Sequence, residues 1–195
     1  PAALWQGTRR ATVEQLLPRL GPNRSAALQS LSRRLLLSAA NVPQGPASGP
    51  SLLALRVGRL LALGDNQQAA ALARLASSQL EDMALTRVAA DAFWLTGDTQ
   101  SACARVATAL RHDQDPVWLE ANAFCRASKG DQEAAAISAG LLREQKQGDA
   151  AFFTLLGAIG GDRDAKLSSL AAPTPLQIAM LRAAKLPAPA DILLD

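Results

Sequence analysis

Residues 52–75 read LLALRVGRLLALGDNQQAAALARL, and the arrangement of that stretch decides the fold. A Leu-rich run ends on Gly64-Asp65, and an Ala-rich run follows, with Ala69 five residues beyond the glycine. Both runs consist of good helix formers, and neither shows the period-two alternation of a half-buried strand. A glycine between them supplies the positive φ or the close approach that closes a helix, and the aspartate begins the turn into the next. The stretch predicts a helical hairpin.

The dipeptide recurs at Gly97-Asp98, Gly130-Asp131 and Gly161-Asp162, at spacings of 33, 33 and 31 residues. LTRVAADAFWLT, WLEANAFCRASK and AFFTLLGAIG precede these copies, and TQSACARVATA and QEAAAISAGLL follow the first two of them. Ala102 and Ala135 stand at the offset of Ala69, where a small side chain lets two helices approach closely. Hairpins repeated at a fixed period bury their apolar faces only by stacking, so the expected fold class is all-α, an α-solenoid of helix-turn-helix repeats. No alternating run of β-branched or aromatic residues occurs elsewhere.

Outside the repeats, residues 11–20 and 24–41 predict helices, with Leu28, Leu31, Leu35 and Ala39 forming the apolar stripe of the second. Asn41 to Pro50 is dense in Pro and Gly and reads as a loop or linker, and Ser51 as the N-cap of the next helix. Thr174-Pro175 opens a helix through about Lys185, which Pro187 and Pro189 stop. The chain thus reads as basic N-terminal helices with a linker (1–50), hairpin repeats (51–161) and a capping helix with a tail (162–195), one domain overall. Starting at Pro1, it reads as a trimmed or processed product or as part of a longer protein, and Asp191-Ile-Leu-Leu-Asp195 as the first turn of something truncated.

Composition removes several function classes. At 49% hydrophobic and 4% aromatic residues, the core must be built from Ala and Leu. The longest charge-free run, Leu35–Leu55, is broken by Pro43, Gly45, Pro46, Gly49 and Pro50 and is no membrane span. One histidine and two cysteines cannot make a multi-His or four-ligand zinc site, and no phosphate-cradling glycine loop is present. His112, beside Asp113 and Asp115, could mimic a catalytic dyad, but an exposed histidine at a helix C-terminus is the simpler reading. Asp162 and Asp164 cluster in a solvated turn. No catalytic residue, metal, cofactor or small-molecule substrate is implied, and the chain reads as a non-enzyme.

Charge is uneven. Residues 1–64 carry eight arginines and one acid, Glu14, whereas residues 65–195 carry 12 basic and 16 acidic side chains. Either the two parts dock on one another, or the first is a docking element carrying Arg24, Arg33 and Arg34 for an acidic partner or anionic lipid. Nucleic acid is disfavoured, because Trp5 alone among the arginines offers a stacking ring.

Cys103 falls in the second helix of one repeat and Cys125 in the first helix of the next. Each lies 11 residues from Gln114, so the two sit at one height on adjacent antiparallel helices. Small neighbours such as Ala102 and Ala121 allow the Cα separation that a disulfide needs. The alternative is a pair of buried thiols. A disulfide would indicate an oxidising compartment, a bacterial periplasm or secretion, and the 16 Arg against 4 Lys suit a GC-rich genome.

Over residues 51–161 the chain resembles the tetratricopeptide-repeat family. The family's early large position falls on Leu53, Thr86 and Leu119, its small position on Val57, Ala90 and Ala123, and its later bulky position on Leu60, Phe93 and Arg126. Its closing proline is matched only loosely, by Pro116, and Lys166 replaces the alanine of the fourth unit. The resemblance implies a right-handed superhelix whose first helices line a concave groove. It places Ala84, Arg87, Asp91 and Trp94, then Val117, Glu120, Phe124 and Ala127, on that groove. Trp94 and Phe124 read either as a peptide-binding anchor beside Arg87, Asp91 and Glu120 or as ordinary inter-repeat core.

The function expected is a protein-protein interaction scaffold or adaptor in a multi-subunit cell-envelope assembly. The alternatives are the helical part of an envelope enzyme such as a lytic transglycosylase, and a basic module docking on anionic lipid.

Overall fold

The computed structural model describes residues 3–22, 24–76 and 82–192. Among them the chain is helical, with no strand and only an isolated bridge between Arg9 and Gln44. Its helices are α1 (Arg10–Leu16), α2 (Ala26–Leu37), α3 (Leu52–Ala62), α4 (Asn66–Leu75), α5 (Met83–Thr96), α6 (Thr99–Ala109), α7 (Pro116–Ser128), α8 (Gln132–Glu144), α9 (Ala150–Ile159) and α10 (Pro175–Ala184). Leu193, Leu194 and Asp195, the end of the expected tail, lie outside the described residues. The chain packs as two compact units, Pro1–Ala92 and Phe93–Asp195.

The four Gly-Asp pairs share one closure. Gly64, Gly97, Gly130 and Gly161 have φ of 75°, 80°, 80° and 100°. Each donates its N–H to the carbonyl three residues back, and each following aspartate donates to the carbonyl five back, as in Asp98 N–H to Phe93 O at 2.9 Å. This pair of bonds satisfies the carbonyls that a helix leaves open at its C-terminus. At the second and third pairs the aspartate then caps the next helix, whereas the Asp65 carboxylate is bonded to Arg33 instead. The carboxylates of Asp98 and Asp131 accept from the N–H groups of Ser101 (3.1 Å) and Ala134 (3.2 Å). At Gly64, Gly97 and Gly130 the pair thus stands between two helices, and these hairpin turns fall where the spacing predicts, whereas Gly161-Asp162 only closes α9.

In the first unit α3 packs against α2, α4 and a 3-10 turn (Leu17–Arg19) that follows α1. Leu36, Val57, Leu60, Ala69, Ala70 and Ala73 are its fully buried centre. The helix expected over 11–20 is α1 followed by that turn, with Pro18 at its start. The helix expected over 24–41 is shorter, capped by Ser25 and stopped where Ser38 folds back on the Leu35 carbonyl. The Pro/Gly-rich stretch after it is tethered. Gln44 accepts from the Arg10 N–H at 2.7 Å, and the Glu14 carboxylate accepts from the Ser48 hydroxyl at 2.6 Å.

In the second unit α7 contacts α6, α8, α9 and α10. Val106, Phe124, Leu142, Phe152, Leu155 and Met180 form the buried centre. Ala102 and Ala135, the recurrent small residues, are buried. After Gly161-Asp162 no helix follows directly. The chain runs irregularly to Thr174, which opens α10 with a reciprocal capping box to Gln177. α10 then packs on α9, and Arg182 donates to the last α5 carbonyls, Trp94 O at 3.3 Å and Leu95 O at 2.9 Å.

Candidate functional site

Of the two readings open for Trp94 and Phe124, groove anchor or inter-repeat core, burial favours core. Trp94 on α5 and Phe124 on α7 are 2% and 1% exposed, with ring centroids 5.3 Å apart and planes tilted by 57°. Offset aromatic contacts of this kind stabilise a helix–helix seam. Their bulk is spent there, which corrects the reading of either ring as an anchor open to a partner. Arg87 is exposed, and Asp91 and Glu120 are half-buried. Burial pushes the Asp91 carboxyl up to about 6, against the opposing pull of the Arg87 guanidinium one helical turn away.

Cys103 and Cys125 are disulfide-bonded, with Cα atoms 5.7 Å apart, joining α6 to α7. The turn after α6 and the start of α7 are ordered by local hydrogen bonds. Trp118, at the first turn of α7, donates its indole N–H to Asp113 at 2.9 Å. Asp115 caps the same helix ahead of Pro116, and Asn122 on α7 reaches Ser138 on α8 at 3.2 Å. His112 is exposed in the turn after α6. Asp162 accepts from the Asp164 N–H in an exposed turn. Among the described residues no group of three or more His, Cys, Asp or Glu side chains is placed to hold a metal ion.

The N-terminal arginines divide into two sets. Arg10 pairs with Glu14, and Arg33 makes a two-pronged pair with Asp65 that raises its own pKa. Arg56 donates to the Leu36 and Ser38 carbonyls, and Arg59 to Pro18 O at 2.6 Å and Leu20 O at 3.3 Å. These four hold the unit together, so the basic excess is partly structural cement. Arg33 in particular is not free for docking. Arg9, Arg19, Arg24 and Arg34 are exposed, and among the described residues their side chains have no ion pair or hydrogen bond.

Beside this second set lies a feature that the sequence did not disclose. Leu28 and Leu31, read as the packing stripe of α2, are 48% and 59% exposed, and only Leu36 of that helix is buried. Leu35 continues the stripe into a largely apolar cavity of about 190 Å³, lined also by Trp5, Thr8, Thr12, Val13, Leu16, Leu17 and Leu20. The helix turns its Arg33 edge toward Asp65 and its Leu28–Leu31–Leu35 stripe outward. Leucines at 28, 31, 35, 36 and 37 occupy several faces, so periodicity alone could not say which is inside. What fixes the orientation is the long-range pair of Arg33 with the aspartate of the first Gly-Asp turn.

No family model, no curated protein and no solved structure matches the chain. Its architecture and surface therefore rest on its own residues.

Proposed function

We propose that the chain is a degenerate tetratricopeptide-like repeat module, a right-handed superhelix of hairpins, that serves as a non-enzymatic scaffold or adaptor in a cell-envelope assembly. The observation that carries this reading is the fourfold recurrence of one turn, with the same two backbone bonds and the same positive-φ glycine at near-constant spacing. Units of that kind stack into extended surfaces whose usual use is protein recognition. The Cys103–Cys125 disulfide supports an oxidising compartment.

Photo-crosslinking in the cells of origin tests the reading. A photoreactive residue is placed in turn at exposed positions spread over both units, Arg24, Leu75, Arg87 and Ile137 among them, and products are purified under denaturing conditions. A discrete protein joined to this chain from a contiguous set of positions is the expected result. No cross-linked protein from any position, together with a continuous catalytic domain in the full-length gene that works without a partner, would replace the scaffold with an enzyme's helical segment.

A further inference from the structure

The structure points to a specific docking surface: we infer that the groove between α1 with its 3-10 turn and the outward face of α2 receives an acidic amphipathic helix from a partner protein. The proposal rests on the interaction-module reading and names where and by what chemistry that interaction occurs.

Three observations converge. Leu28, Leu31 and Leu35 are spaced as one stripe along α2, and two of them are about half exposed. Across from Leu35, Leu16 is 52% exposed at the rim of a cavity with an almost wholly apolar lining. An apolar stripe running into a preformed pocket is the shape that accepts helix anchors spaced i, i+3 or i+4 and i+7. Exposed arginines flank these apolar residues along the chain. Arg19 lies between the lining residues Leu17 and Leu20, Arg34 adjoins Leu35, Arg9 adjoins Thr8, and Arg24 precedes α2. The one acid in residues 1–64, Glu14, is already held by Arg10 and Ser48.

Charge then selects the occupant. A partner helix with aspartates and glutamates flanking its apolar stripe neutralises four arginines as its side chains fill the pocket. A second copy of this surface is disfavoured, since a two-fold contact would set the same arginines against one another. Lipid is left as an outcome of the test, since Leu28 and Leu31 lie on an exposed helix face and Leu35 alone of the stripe enters the cavity.

The test uses the full oxidised chain and a displayed library of short amphipathic helices. Their apolar stripe is fixed, and the other positions are randomised among Glu, Gln and Lys. The expected result is enrichment of Glu-rich sequences. A selected peptide should bind about tenfold or more weakly to Leu31→Glu, whereas Leu75→Glu, an 84% exposed control on α4, should bind as wild type. Arg24→Gln with Arg34→Gln should slow association at low salt and flatten its salt dependence. Circular dichroism melts matching wild type certify the folds of these surface variants.

Enrichment of neutral or Lys-rich peptides, no enrichment at all, or binding indifferent to Leu31→Glu would overturn the proposal. So would flotation with phosphatidylglycerol vesicles that Leu31→Glu abolishes, which assigns the face to lipid. A dimer in sedimentation that Leu31→Glu dissociates assigns it to a second copy. If a cellular partner is cross-linked but its binding ignores both sets of variants, the scaffold reading stands and this surface falls.

Discussion

Gly130 has φ +80° with nothing within 4 Å of where a Cβ would stand, whereas a Cβ on Gly148 (φ +79°) would meet the Phe153 ring at 3.0 Å. The first glycine answers only to backbone sterics, the second also to packing. Gly130→Ala should therefore cost about 1–2 kcal/mol, the penalty of a left-handed L-residue, and Gly148→Ala should cost more. Paired urea melts will show it, and equal losses would refute the distinction. Asp91 offers a second test at this scale. Its carboxyl is raised to about 6 from 3.8, so the folded state binds the proton more tightly than the unfolded one. Stability tied to Asp91 is present below the unfolded value and lost as pH rises through about 6. Asp91→Asn should remove that loss and stabilise the protein at pH 7 by up to about 3 kcal/mol. An unchanged pH dependence of the melting temperature would show that Asp91 is ordinarily solvated.

Helices show where sequence suffices and where it does not. The turns at Gly64, Gly97, Gly130 and Gly161 were legible because the backbone conformation there favours glycine, and the aspartate that follows can cap. Thr174-Pro175 was legible for a similar reason, since a capping hydroxyl and a fixed φ belong at a helix start. The end of α8 was not. Lys146 takes the left-handed position there, at φ 55°, and Gln147 closes the helix by donating to Leu142 O at 2.8 Å. The nearby Gly148-Asp149 lies outside the repeat register and opens α9 without closing a helix, its carboxylate accepting from Phe152 N–H at 2.7 Å. The outward face of α2 was hidden for another reason, because a helix rich in leucine leaves orientation to tertiary contacts such as Arg33–Asp65. Trp94 and Phe124 fitted core and groove equally by spacing, and only burial separates the two. Arg182 gives this scale its prediction. Arg182→Ala should speed amide exchange in the last turn of α5 and lower stability by about 1 kcal/mol, and unchanged protection at Trp94 to Gly97 would deny its role as a clamp.

Over the whole molecule the disulfide is the strongest single constraint, because it ties one hairpin to the next instead of closing a hairpin on itself. Protein isolated without reductant should take up two thiol-blocking groups only after reduction, as intact mass will report. Cys103→Ser with Cys125→Ser should lose about 3 kcal/mol on the chain-entropy account of a loop this size. Cysteines freely alkylated in native extracts would defeat both the bridge and the oxidising compartment.

Seen under tension, the same bridge is a bypass. Force applied at the two ends of the chain would pass from Cys103 to Cys125 across 5.7 Å, leaving residues 104–124 between them out of the load. That span stretches to about 75 Å when fully drawn out. In single-molecule pulling, oxidised protein should therefore extend about 70 Å less than reduced protein, with the α6–α7 turn shielded until the bond is cut.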